Sequence, residues 1–131
     1  MYSFDATRPR RAPRHYEGTN LWDEPVTGEF TCLTLVVAIK EDCWGCRNIL
    51  ECSPGEMGDV TTILVAAQAS RETSWRSSPH RVLISASLLK ELDVRWPPFY
   101  VLFDPTQEKV VSEGVVFDVH QVREEIAPFL M

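Results

Sequence analysis

The chain has 131 residues, 44% hydrophobic and 24% charged, enough for one domain with a real core. Its formal net charge of -6 lacks the basic face of a nucleic-acid binder, and no apolar run approaches the ~20 residues of a membrane-spanning helix. Four cysteines are too few for a disulfide scaffold, and no apolar leader follows the N-terminal arginines, so the sequence predicts a soluble, cytoplasmic protein. An exported protein shorn of its leader would read the same.

Residues 1–25 are predicted to form an irregular N-terminal arm, because Pro9, Pro13, Gly18, Asn20 and Pro25 interrupt any period. The basic cluster Arg8, Arg10, Arg11 and Arg14 falls here. It reads as a solvated, mobile arm, with contact to an acidic partner as the alternative. The domain proper is predicted over 26–131.

FTCLTLVVAIK (30–40) is an apolar, β-branched run that predicts a strand buried on both faces, with Cys32 as a small apolar side chain inside it. CRNILE (46–51) predicts a short helix with Ile49 and Leu50 inward, closed by Pro54, Gly55 and Gly58. Cys52 follows as a spare thiol. VTTILVAAQ (60–68) predicts a second buried strand, and 69–80 a polar loop with at most a helical turn. RVLIS (81–85) predicts a third strand, and SASLLKELDV (85–94) a helix capped by Ser85 or Ser87, with Leu88, Leu89 and Leu92 on one face. PFYVLFD (98–104) and KVVSEGVVF (109–117) predict a hairpin around PTQE. DVHQVREEIAPFL (118–130) predicts a closing helix capped by Asp118, with Val119, Val122, Ile126 and Phe129 inward and Pro128 fraying its end. His80 and His120 read as solvent-exposed histidines. Trp75 and Trp96 read equally as core or as walls of a groove.

The predicted order is β-α-β-β-α-β-β-α. Strands alternating with helices, then a hairpin and a helix, imply an α/β sandwich with a mixed central sheet and helices on both faces.

Between the first strand and the first helix lies KEDCWGCRNILE (40–51), with Cys43 and Cys46 spaced as CxxC. That spacing alone serves a redox dithiol, half of a zinc site or a haem attachment. Haem attachment fails because Arg47, not histidine, follows Cys46. Zinc asks for four ligands, and Cys32, Cys52 and His80 offer no complementary spacing.

TLVVAIKEDCWGCRNIL and LLKELDVRWPPFYVLFDPTQEKVVSEG together resemble the thioredoxin-like superfamily, in particular its TlpA-like and methylamine-dehydrogenase-accessory-like branch. The resemblance spans about residues 27–130. Val94 and Arg95 match the family turn, Pro98 takes its cis-proline position, and Gly114 falls on a hairpin glycine. It implies a thioredoxin-like sandwich and a thiol-disulfide oxidoreductase acting on a protein disulfide or dithiol, or on a small thiol. Cys43 would be the nucleophile and Cys46 the resolving thiol. Trp44, Gly45, Pro97, Pro98 and Phe99 would form the substrate groove. No cofactor and no metal are implied. A thiol at a helix N-terminus has its thiolate favoured by unpaired N–H groups and the helix dipole, which suits the nucleophile's role.

The chain departs from the family at several positions. Asp42 stands where tryptophan is common, Val37 where thioredoxins carry a buried acid, and Thr106 near a hairpin glycine. Pro97 precedes the cis-proline position and has no N–H, which removes half of the backbone clamp for a substrate strand and favours a small or dedicated partner. Two alternatives stand beside the oxidoreductase reading: a non-catalytic thioredoxin-fold interaction module that binds a partner through the same groove, and a metal-site protein using the CxxC.

Overall fold

Thr34–Ala38, strand β3, is buried at every residue and lies inside the sheet with a neighbouring strand on each side. Its side chains alternate, so Leu35 and Val37 enter one core while Val36 and Ala38 enter the other. A strand flanked by two cores has no polar face, which is why the sequence reads there as a continuous apolar run. The computed structural model describes residues 12–130; Arg8, Arg10 and Arg11 of the basic cluster lie outside them.

The remaining elements are β1 (His15–Thr19), β2 (Pro25–Glu29), α1 (Trp44–Glu51), β4 (Thr61–Ala66), α2 (Thr73–Arg76), β5 (Val82–Ile84), α3 (Ala86–Glu91), β6 (Phe99–Asp104), β7 (Lys109–Val115) and α4 (Val119–Ile126), closed by a 3-10 turn over Ala127–Phe129. One seven-stranded sheet runs in the order β2-β1-β5-β4-β3-β6-β7. The β3-β4 and β4-β5 pairs are parallel; β3-β6, β6-β7, β1-β5 and β1-β2 are antiparallel. Residues of α1, α2 and α4 pack on one face with Leu35, Val37, Tyr100 and Leu102. Leu88 and Leu89 of α3, with Leu92 just beyond it, pack on the other with Val36, Val65, Val101 and Phe103. The mixed sheet with helices on both faces matches the architecture expected from the sequence.

The arm expected to be irregular contains β1 and leads into β2, and this hairpin extends the sheet. The residues that looked like breakers build it. Asn20 Oδ1 accepts the Trp22 and Glu24 N–H groups at 2.8 and 3.1 Å, which closes the turn as an Asx motif. Pro25 opens the outermost strand, where a missing N–H costs little. Gly18 lies so close to β5 that a β-carbon there would stand 2.1 Å from Ile84 O. Arg14, the described member of the basic cluster, pairs with Glu108.

Smaller differences are local. Cys32 precedes β3 and is exposed, its sulfur 3.3 Å from Thr61 Oγ1, because only the stretch from Thr34 onward enters the sheet. Asp118 caps α4 as expected: its side chain accepts the Gln121 N–H at 2.7 Å, and the Gln121 side chain accepts the Phe117 and Asp118 N–H groups in return. Phe129, expected inward, is exposed, because the chain tightens into the 3-10 turn at Pro128 and leaves the helical face.

Candidate active site

Beyond Ala38 the Ile39 N–H still bonds to Val65 O at 2.9 Å, and the chain then leaves the sheet through Lys40. It passes Asp42, whose φ is +52°, and enters α1 at Cys43. Cys43 is the helix N-cap: its backbone is extended, and its Sγ accepts the Cys46 N–H at 3.2 Å. A sulfur in that place meets unpaired N–H groups and the positive end of the helix, which favours the thiolate in the reduced protein. Cys43 and Cys46 are joined as a disulfide, with Cα atoms 5.2 Å apart. Cys43 is half-buried while Cys46, a turn further in, is only 1% exposed. The outer sulfur is therefore the one a partner can reach.

Trp44 follows with 78% of its surface exposed. Gly45 lies against Pro98: a methyl group built on it would stand 3.4 Å from Pro98 Cγ and 3.8 Å from Val116 O. The Pro97–Pro98 peptide bond is cis, and Pro98 O accepts the Val116 N–H at 3.0 Å. The fold thus gathers Cys43, Trp44, Gly45, Cys46 and Pro98 from two distant segments of the chain. Pro97 lines a separate hollow of about 220 Å³ with Lys40, Glu41 and Gln68. Phe99 does not join them. It starts β6, and strand alternation sends its ring to the α3 core on the opposite face, while Tyr100 faces the α1 side.

Three other residues border the site. An open depression of about 640 Å³ is lined by Asp42, Cys43, Trp44 and Arg47 together with Glu72, Thr73 and Ser74. The last three come from the start of α2, which packs against α1. The sequence alone places them in the polar loop 69–80. The signal was their position just past β4, since the carboxyl ends of neighbouring parallel strands open on the same edge of a sheet. Trp75 behind them is core, and Trp96 is exposed.

No protein-family model and no curated protein matches the sequence. Solved structures do. The thioredoxin domain of a thiol-disulfide oxidoreductase from Bacteroides vulgatus superposes with a TM-score of 0.64 at 18% identity, covering 95% of this chain and 99% of that one. A thioredoxin-family thiol:disulfide interchange protein from Chlorobium tepidum gives 0.62 at 14%, covering 98% and 100%. The exposed lipoprotein thioredoxin of Streptococcus pneumoniae gives 0.61 at 16%, covering 88% and 97%. The chain has the thioredoxin fold. At such identities the likeness speaks for the fold alone.

Val37, which the sequence resemblance sets where thioredoxins carry an acid, is fully buried and apolar. Among the described residues no helix is long and apolar enough to cross a membrane. The cytoplasmic placement expected from the sequence finds no support in the comparison, since one neighbour is an exposed lipoprotein. Among the described residues no three His, Cys, Asp or Glu side chains come together as a metal site would ask.

Cys52 and His80, read from sequence as a spare thiol and an exposed histidine, are partners. His80 Nε2 donates to Cys52 O at 2.9 Å and lies 3.2 Å from the Cys52 sulfur. Burial pushes the Cys52 thiol up to about 11, with Glu56 adding to the effect, and burial pushes His80 down. Both groups are thus held neutral near pH 7, at the far end of α1 from Cys43. His120 is exposed, as expected, and pairs with Glu124 at 3.1 Å.

Proposed function

We propose that the chain is a thiol-disulfide oxidoreductase with Cys43 as nucleophile and Cys46 as resolving thiol. One observation carries the reading: an accessible Cys43 sulfur at the N-cap of α1, bonded to a buried Cys46. In the reducing direction the Cys43 thiolate attacks one sulfur of a partner disulfide. A Cys43–partner bond forms and one partner thiolate leaves. Cys46, as thiolate, then attacks the Cys43 sulfur, closing the Cys43–Cys46 bond and releasing the second partner thiolate. Two electrons pass from the dithiol to the partner, and the released thiolates take up the two protons. Oxidation of a partner dithiol runs the same steps backward.

The names of the structural neighbours support this chemistry, since they include a thiol-disulfide oxidoreductase and a thiol:disulfide interchange protein. Trp44 beside Cys43 supplies apolar area for a partner, and Gly45 lets the partner approach the cleft next to Pro98. Pro97 offers a carbonyl but no N–H. That limits strand-like capture of polypeptides and favours a dedicated protein partner or a small thiol.

The test is turnover of insulin or a fluorescent disulfide peptide with a dithiol reductant. The wild type is expected to accelerate reduction, and Cys43→Ser to fall to the uncatalysed rate. Equal rates for the two proteins would end the enzyme reading and leave a partner-binding module.

A further inference from the structure

Glu72 stands at the start of α2 and reaches across to the loop that delivers Cys43. Its Oε1 accepts the Asp42 N–H at 3.0 Å. Behind it, the Glu72 N–H donates to Ser70 Oγ at 3.0 Å and the Glu72 carbonyl accepts the Trp75 N–H at 3.1 Å. Ser70 and Trp75 are both buried, so the carboxylate is held from an anchored base. In front, Asp42 keeps φ at +52°, a left-handed conformation that a side chain with a β-carbon disfavours. Its N–H lies outside the strand ladder, and Glu72 supplies its acceptor in a charge-assisted bond. The next residue is Cys43, whose sulfur meets the Cys46 N–H only if the backbone enters α1 at this angle.

The same carboxylate acts by charge. Asp42, Glu72 and Arg47 line one depression with Cys43, and Lys40 and Glu41 precede it on the loop. Arg47 is engaged by Glu51 at 3.0 Å. The Asp42 N–H holds the Glu72 carboxylate beside the site.

We propose that Glu72 is a positioning residue for the Cys43–Cys46 couple: it fixes the left-handed turn at Asp42 and, through its held negative charge, disfavours the Cys43 thiolate and biases the pair toward donating electrons. The proposal rests on the thiol-disulfide reading. A neighbouring carboxylate raises a thiol's pKa. A less stabilised thiolate in the dithiol favours the disulfide, so the dithiol reduces a partner disulfide more readily and is itself oxidised.

Glu72→Gln keeps an oxygen acceptor and drops the charge; Glu72→Ala drops both. Both are made in a Cys32→Ser background, reduced, and titrated by the pH dependence of alkylation at Cys43. Glu72→Gln is expected to lower the Cys43 pKa by about half a unit or more. Above that pKa, its equilibrium with a reference dithiol should move about threefold toward the protein dithiol, the equivalent of the same half unit. The difference should vanish at low pH, where both thiols are protonated. Glu72→Ala should add a slower attack on a disulfide reagent. No change in titration and equilibrium overturns the proposal, and so does a shift of equal size at every pH, which marks a purely structural role. The titration needs no turnover. A protein that titrates as expected yet reduces no disulfide defeats the oxidoreductase reading and leaves the effect of Glu72 standing.

Discussion

Under the proposed function, Pro97 is the residue whose backbone most limits what a partner can do, because it offers a carbonyl but no N–H. A residue with an N–H there could add one backbone hydrogen bond to an extended substrate, worth about 0.5–1.5 kcal/mol net. Pro97→Thr is therefore expected to raise kcat/KM on a disulfide-bonded peptide by about two- to tenfold, read mainly in KM, and to leave a small disulfide unaffected. Equal gains on both substrates would show that the missing N–H is not what limits peptide binding. Residue chemistry was legible in the sequence where it is set by neighbours along the chain. The thiol at a helix start and the Asp118 cap both belong to that kind. Glu72 was not legible, because its bond to Asp42 spans thirty residues and forms only once α2 lies beside α1.

At the scale of elements, α1 is held at both ends. Cys43 caps its start, while Ser78 Oγ donates to Leu50 O at 2.7 Å and His80 to Cys52 O at its end. Burial lowers the His80 pKa below its usual 6.5. The neutral ring is the folded form, so its stabilisation is full above pH 6.5 and is lost as pH falls through the folded-state value, where only the unfolded chain has already taken up the proton. The raised Cys52 pKa has the opposite sense, with stability present below pH 9.0 and lost as pH rises toward about 11. Denaturant unfolding should therefore show a shallower acid limb for His80→Asn than for the wild type, and a shallower alkaline limb for Cys52→Ala. Parallel curves would remove the pair from the pH response. The buried strands and amphipathic helices were readable because periodicity reports burial directly. The hairpin of β1 and β2 is hard to read because its strands are half-exposed and polar, and its asparagine, glycine and proline serve a turn, a close approach and an edge.

At the scale of the whole molecule, the sheet order brings two segments more than fifty residues apart to one edge. The carboxyl end of β3 supplies the CxxC and the start of β6 supplies Pro98, and antiparallel pairing of those two strands sets Ala38 opposite Phe99. The alternating element order made this architecture legible, while the partition of side chains between the two cores was not. The resemblance puts Phe99 in the groove, but the pleat of β6 turns it to the other face. Everything proposed for the molecule depends on the division of labour between an accessible Cys43 and a buried Cys46. That division is read most directly by reacting the reduced protein, with Cys32 replaced by serine, with an aromatic disulfide that releases a coloured thiolate. The pair should release two equivalents rapidly and keep no adduct. Cys46→Ser should release one and hold a stable mixed disulfide on Cys43. An adduct on Cys46 in Cys43→Ser formed as fast as that on Cys43, or a stable adduct in the intact pair, would contradict the mechanism.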